Sequence, residues 1–157
     1  KIKGIENTIE ACDYLKDNSK AGEKVIIIGG GLTGCEIALD LYQKGKTPII
    51  VEARNDLIAV RGVCLANSSY LREFFALNNV EVHLESAVQE ITKEGVKIKN
   101  KDGEEIFIEA DTVIMSVGYN PKTIPETNRK VHLVGDCNEV GNLRTVTWRA
   151  WDVGMKI

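Results

Sequence analysis

Glycines at positions 29–34 have the spacing of a phosphate-binding turn. Gly29-x-Gly31-x-x-Gly34 follows directly on four aliphatic residues. Gly29 would allow a tight turn, Gly31 would let the backbone approach a pyrophosphate, and Gly34 would let the next helix pack closely on the strand. The positive end of that helix, with its free N–H groups, would face the phosphates. The alternative is a glycine-rich turn that serves packing alone.

Two charged residues, one at the end of the next predicted strand and one just after it, affect which nucleotide could bind. Glu52 ends that strand. A carboxylate there can accept hydrogen bonds from both ribose hydroxyls of an adenosine and would repel a 2′-phosphate, which favours NADH over NADPH. Arg54 favours NADPH, because a guanidinium could hold that phosphate; otherwise it is a solvated loop charge. Glu36 lies early in the helix, where the dipole favours a carboxylate whatever binds there.

The elements around these residues form a βαβ unit. Aliphatic, mostly β-branched residues predict a strand at Lys24–Ile28, apolar spacing predicts a helix over 32–44 that Gly45 ends, and a second strand follows over 47–52. Residues 7–17 are predicted to be a helix capped by Asn7 or Thr8. Further helices are predicted over 65–77 and 142–156, and further strands over 80–84, 88–92, 96–99, 106–108, 112–117 and 131–134. The predicted fold is α/β, a Rossmann-like parallel sheet with an inserted antiparallel β-meander.

Composition excludes several classes of protein. The chain has 157 residues, a net charge of −3 and 43% hydrophobic residues, which is typical of a globular domain rather than a disordered tail. Basic residues are scattered, so no nucleic-acid partner is predicted. The longest aliphatic run is too short for a membrane span of about 20 residues, and a cytoplasmic location is expected. Four cysteines without a close pair, and two histidines, predict neither a redox dithiol nor a metal site. The first residue, Lys1, suggests a piece of a longer chain.

Two later segments narrow the interpretation. Residues 112–121 read Thr-Val-Ile-Met-Ser-Val-Gly-Tyr-Asn-Pro, and residues 131–137 read Val-His-Leu-Val-Gly-Asp-Cys. Together with the glycine segment they resemble flavoprotein reductases with two dinucleotide-binding domains, in which the NADH domain is inserted into the FAD domain. The C-terminal stretch contains Gly-Asp-Cys at 135–137, Gly-Asn-Leu-Arg at 141–144 and Ala-Trp-Asp at 150–152. It is most similar to bacterial NADH:flavin oxidoreductases of the 2-enoate reductase and 2,4-dienoyl-CoA reductase type. Those enzymes join this FAD/NADH half to an FMN-binding barrel with an iron–sulfur cluster.

The resemblance implies roles for individual residues. Glu36 would lie near the nicotinamide and orient its carboxamide, and Gly118 would approach the cofactor by its backbone. Asp136 would hold the FAD ribityl chain, unless it is only a turn or cap aspartate. The helix after Asn142 would direct its N-terminal end toward the flavin. The predicted cofactor-binding residues are Gly29, Gly31, Leu32, Thr33, Gly34, Glu36, Glu52, Ala53, Arg54, Gly118, Gly135 and Asp136.

The resulting prediction is an NAD(H)-binding domain that presents NADH for hydride transfer to FAD in a larger enoate or enoyl-CoA reductase-like enzyme. Residues 1–22 would lead in from the FAD domain, 23–120 would bind NADH, and 121–157 would return to the FAD domain. Compared with those reductases, the segment between Gly118 and Gly135 is short. The resemblance therefore predicts a deletion around residues 121–128. The isolated chain is expected to bind NADH without activity of its own, because no flavin site is complete. The alternatives are a module of another reductase such as an NADH oxidase, and a simple NAD-dependent dehydrogenase.

Overall fold

The chain forms two compact units, Lys1–Val117 and Gly118–Ile157. A computed structural model describes residues 2–59, 62–124, 128 and 131–157. The domain limits predicted above, at residues 22 and 120, stay a prediction. Part of the predicted deletion around residues 121–128 lies outside the described residues and likewise stays a prediction.

The first unit is built on a parallel sheet of five strands: β1 (Ile9–Glu10), β2 (Lys24–Ile28), β3 (Thr47–Val51), β4 (Glu81–His83) and β8 (Thr112–Met115). Their order in the sheet is β1–β8–β2–β3–β4. The central strands are buried on both faces, as the near-continuous aliphatic runs predict. Three helices accompany the sheet: α1 (Ala11–Lys16), α2 (Leu32–Gln43) and α3 (Leu65–Leu77).

A second sheet of three antiparallel strands is inserted between β4 and β8. Its strands are β5 (Ala87–Ile91), β6 (Gly95–Lys99) and β7 (Glu105–Glu109), in that order. Side chains of β2 alternate between two cores: Val25 and Ile27 pack with the helices, while Ile26 and Ile28 pack with this meander. The predicted fold class, a parallel sheet with an inserted meander, is confirmed.

The predicted N-terminal helix over 7–17 is wrong in its first half. Ile9 and Glu10 instead pair in parallel with β8, and the helix begins only at Ala11. Its N-cap is Glu10, without a side-chain hydrogen bond, so neither predicted cap is used. Pairing with a strand more than 100 residues away overrides the local helical spacing.

The second unit contains the helix α4 (Leu143–Gly154). The Asn142 side chain accepts a hydrogen bond from the Thr145 N–H at 3.1 Å, and the Thr145 hydroxyl accepts one from the Asn142 N–H at 2.9 Å, which forms a capping box. The predicted strand over 131–134 is absent: none of the described strands pairs with this segment. An apolar run becomes a strand only where a neighbour can share its backbone hydrogen bonds.

No helix within the described part of the chain is long and apolar enough to span a membrane.

Candidate functional site

The turn between β2 and α2 needs glycine at position 29. Gly29 has φ +107°, a conformation that side chains strongly disfavour. Its N–H donates to the Val51 carbonyl at 2.8 Å, which ties the turn to β3. A Cβ at this position would lie 2.3 Å from the Ser116 carbonyl oxygen. Gly29 therefore allows the chain to turn sharply between two neighbouring strand ends, as its place in the motif predicts.

Gly31 and Gly34 face very different surroundings. A Cβ at Gly34 would lie 2.0 Å from the Gly29 carbonyl oxygen, so the close packing predicted for Gly34 is confirmed. At Gly31, φ is −70° and no atom of the described chain lies within 4 Å of an added Cβ. The backbone would accept any residue at position 31, and the space beside it is open. A pyrophosphate would need such open space to come close to the backbone.

The N-terminus of α2 opens beside Gly31. The first helical bond runs from the Cys35 N–H to the Gly31 carbonyl at 3.0 Å. The N–H groups of Leu32, Thr33 and Gly34 precede that bond, and no described side chain caps this end. Uncapped N–H groups at the positive end of a 12-residue helix are groups that can hold an anion.

Glu52 lies at the end of β3 and reaches across to the glycine turn. Its Oε2 accepts a hydrogen bond from the Gly30 N–H at 2.6 Å, and its Oε1 accepts one from the Arg54 N–H at 2.8 Å. The side chain is half-buried. Because each carboxylate oxygen has a second lone pair, both can still accept a bond from a ribose hydroxyl.

Ala53 and Arg54 begin a loop of residues 53–59, which is exposed except at positions 57 and 58 and which we call the 53–59 loop. The Arg54 guanidinium donates from Nη1 to the Ala59 carbonyl at 2.8 Å. One donor of this side chain is therefore engaged within the loop itself. Glu36 lies exposed on α2, one turn beyond Leu32.

The three remaining predicted residues belong to the second unit. Gly118 is its first residue and has φ +100°. Gly135 has φ +72° and begins a short 3-10 turn, Gly135–Cys137. Asp136 is exposed, and its Oδ1 accepts a hydrogen bond from the Gly141 N–H at 3.1 Å. Asp136 thus closes the loop before α4, as a turn aspartate does, and its contact with FAD stays a prediction.

Sequence reasoning missed the residues that cover Gly30. Leu57 and Ile58 are buried, and the Ile58 N–H donates to the Gly30 carbonyl at 2.7 Å. A Cβ at Gly30 would lie 2.6 Å from Leu57 Cδ2. The only signal in the sequence is a pair of adjacent apolar residues inside an otherwise polar loop. Such a pair indicates burial but not its partner.

Cys35 lies directly under the glycine turn but is chemically passive. Its thiol donates to the Gly30 carbonyl, with Sγ and O 3.4 Å apart, and it is fully buried. Burial raises the pKa of the Cys35 thiol to about 12, so it stays protonated at neutral pH. All four cysteines of the chain are free thiols.

The comparison with protein families decides the identity of this fold. Residues 1–146 match the family described as pyridine nucleotide-disulphide oxidoreductase. The chain belongs to this family. The pyridine nucleotide-disulphide oxidoreductases are flavoproteins with NAD(H)- and FAD-binding Rossmann-type domains, so the resemblance identified in the sequence is confirmed.

Individual relatives are larger proteins. The chain is 39% identical to cinnamate reductase of Clostridium sporogenes over 99% of this chain and 24% of the relative, and 32% identical to NADH oxidase of Thermoanaerobacter brockii over 100% and 26%. The solved structure of a 2-naphthoyl-CoA reductase in complex with 2-naphthoyl-CoA aligns with a TM-score of 0.88 at 27% identity, covering 100% of this chain and 25% of that one. The chain therefore spans about a quarter of the length of these relatives.

Proposed function

We propose that this chain is the NAD(H)-binding domain of a flavin-dependent oxidoreductase and that it presents NADH for hydride transfer to FAD. The observation that carries the proposal is the uncapped N-terminus of α2 beside the open face of Gly31, with the Glu52 carboxylate at the end of the adjacent strand. An anion site and a ribose acceptor at neighbouring strand ends match the two polar parts of an adenine dinucleotide.

The phosphate side of the proposed site is formed by the backbone. The N–H groups of Leu32, Thr33 and Gly34 bind the pyrophosphate, and Gly31 leaves room for it. Gly29 gives the turn its sharp bend, and Gly34, besides its N–H, lets α2 pack closely on the turn. Because these groups are backbone groups held by β2 and α2, they are in place before the nucleotide arrives.

The ribose side depends on Glu52 and its neighbours. The Glu52 carboxylate accepts hydrogen bonds from the adenosine ribose, next to Ala53, and repels a 2′-phosphate, so NADH is the preferred cofactor. Arg54 already donates to Ala59, which leaves it poorly placed to compensate for that repulsion.

The remaining assignments rest on the family resemblance. Glu36 orients the nicotinamide carboxamide and Gly118 approaches the cofactor by its backbone. Gly135 and Asp136 contribute to the FAD site of the complete enzyme. When bound, NADH supplies a hydride from its nicotinamide ring to the flavin. This chain's own contribution is to bind and orient, and no residue is proposed as a catalytic acid or base.

The parent enzyme that we favour resembles an enoate or enoyl-CoA reductase. The similarity to cinnamate reductase covers 99% of this chain, and the similarity to 2-naphthoyl-CoA reductase covers 100%. In such a parent, the partners are an FAD domain and an FMN barrel with an iron–sulfur cluster in the same polypeptide, in the cytoplasm. The second candidate is an NADH oxidase-like reductase, favoured by the 32% identity to that enzyme.

Calorimetric titration with NADH tests the proposal. We expect one site, lost in Gly31→Val, because the new side chain would fill the open space where the pyrophosphate binds. Gly154→Val is the matched control: there too no atom of the described chain lies within 4 Å of an added Cβ, but the position is at the end of α4. Absence of binding by the folded wild-type chain at millimolar NADH would overturn the proposal.

A further inference from the structure

The 53–59 loop is attached to the glycine turn at its far end. The Ile58 N–H donates to the Gly30 carbonyl, and the Leu57 side chain packs over Gly30. The Gly30 N–H is in turn held by Glu52. One residue of the phosphate-binding turn is therefore held at both its N–H and its carbonyl, by the proposed ribose acceptor and by this loop.

The loop does not adopt this conformation through its own preferences. Ile58 has φ +53°, and a β-branched residue in the left-handed region is a genuine outlier. Such a conformation persists only where surrounding contacts impose it. Besides the Arg54–Ala59 bond within the loop, contacts from outside the loop impose it.

Arg72 on α3 supplies three of these contacts, beside the bond from Ile58 to Gly30. Its Nε donates to Asp56 Oδ1 at 3.0 Å and its Nη2 to Asp56 Oδ2 at 2.9 Å, a bidentate pair. Nη2 also donates to the Leu57 carbonyl. The Arg72 side chain is about two-thirds buried, with 32% of its surface exposed. One guanidinium thus fixes two consecutive residues immediately before Ile58.

From this geometry we infer that Arg72 is a positioning residue for the adenosine half of the NADH site: by holding Asp56 and Leu57 it keeps Ile58 and Leu57 on Gly30, and so keeps the glycine turn and Glu52 in the binding geometry. The inference rests on the proposed function. Without the Arg72 contacts the loop spends only part of its time in place, and the apparent Kd for NADH rises by the inverse of that fraction.

The test compares two variants that have opposite effects on charge. Arg72→Ala and Asp56→Asn each break the bidentate pair, so we expect both to weaken NADH binding, by about five- to tenfold. A role for Arg72 as a mere positive charge near an anionic ligand predicts opposite signs: Arg72→Ala would weaken binding and Asp56→Asn would strengthen it. The double variant should be no weaker than Arg72→Ala alone, because both changes remove one interaction.

Binding is measured by calorimetry on the full chain, well below each variant's Tm, so that loss of folded protein does not enter the Kd. Lys97→Ala is the matched control, since it breaks an ion pair of similar length with Glu105 (2.6 Å) on the second sheet and should leave the Kd unchanged. Wild-type affinity in both variants, or tighter binding by Asp56→Asn, overturns this inference alone. If the wild-type chain fails to bind NADH, the proposed function falls, and this inference with it.

Discussion

The Glu52 carboxylate and the Gly30 N–H are joined by a hydrogen bond of 2.6 Å between Oε2 and N. This bond links the end of β3 to the turn that follows β2. The residue proposed to recognise the adenosine ribose therefore also fixes the turn proposed to bind the pyrophosphate. Changes at Glu52 are expected to affect both specificity and stability.

Glu52→Gln keeps the size of the side chain and removes its negative charge. The amide has one acceptor oxygen in place of two, so one of the bonds to the Gly30 and Arg54 N–H groups is lost. We expect unfolding to become easier by about 1 kcal/mol. The ratio of Kd(NADPH) to Kd(NADH) should fall roughly tenfold, because the repulsion of the 2′-phosphate is removed.

The measurements are chemical denaturation and titration with each nucleotide. Glu109→Gln on β7 is the control: it removes the same charge from an exposed position on the second sheet and should change neither quantity. A Glu52→Gln variant with an unaltered nucleotide ratio would refute the role of Glu52 in cofactor choice.

Two alanine substitutions in the same turn should have opposite consequences for stability. Gly34→Ala places a methyl group 2.0 Å from the Gly29 carbonyl oxygen and should cost about 1–3 kcal/mol of unfolding free energy. Gly31→Ala meets open space at φ −70° and should be neutral or stabilise by up to about 1 kcal/mol. Urea denaturation of the two variants beside the wild type checks this. Equal stabilities would mean that α2 does not pack on the turn as described.

The buried thiol of Cys35 makes a prediction about pH and reactivity. Its pKa is raised, chiefly by burial, from the ordinary 9.0 to about 12. Since the folded state holds this proton more tightly, the stabilisation is fully present below pH 9 and is lost as the pH rises toward 12. At pH 8, iodoacetamide followed by peptide mass mapping should modify the exposed Cys64 and leave Cys35 intact. Modification of Cys35 in the folded chain at the rate of Cys64 would contradict its burial.

Local chemistry explains which features the sequence could predict. The turn at Gly29–Gly34 and the helix Leu65–Leu77 follow from glycine geometry and apolar spacing, which depend on neighbouring residues. The pairing of Ile9 with β8 and the missing strand over 131–134 depend on partners far along the chain, which periodicity does not reveal. The hydrogen bonds from Arg72 to Asp56 could not be predicted either, because a charged residue on a helix does not indicate which loop it contacts.

The Arg54 guanidinium donates to the Ala59 carbonyl, a role within the loop that competes with binding a 2′-phosphate. If Arg54 stabilises the 53–59 loop rather than binding a 2′-phosphate, Arg54→Ala should change the affinities for NADH and NADPH by the same factor. Both nucleotides would bind beside the same loop. A phosphate-binding arginine would instead lose NADPH selectively, by roughly tenfold or more for a charge-assisted bond. Parallel titrations with the two nucleotides, on the wild type and on Arg54→Ala, measure the ratio directly. A selective loss of NADPH binding would reassign Arg54 to cofactor recognition and weaken the preference for NADH derived from Glu52.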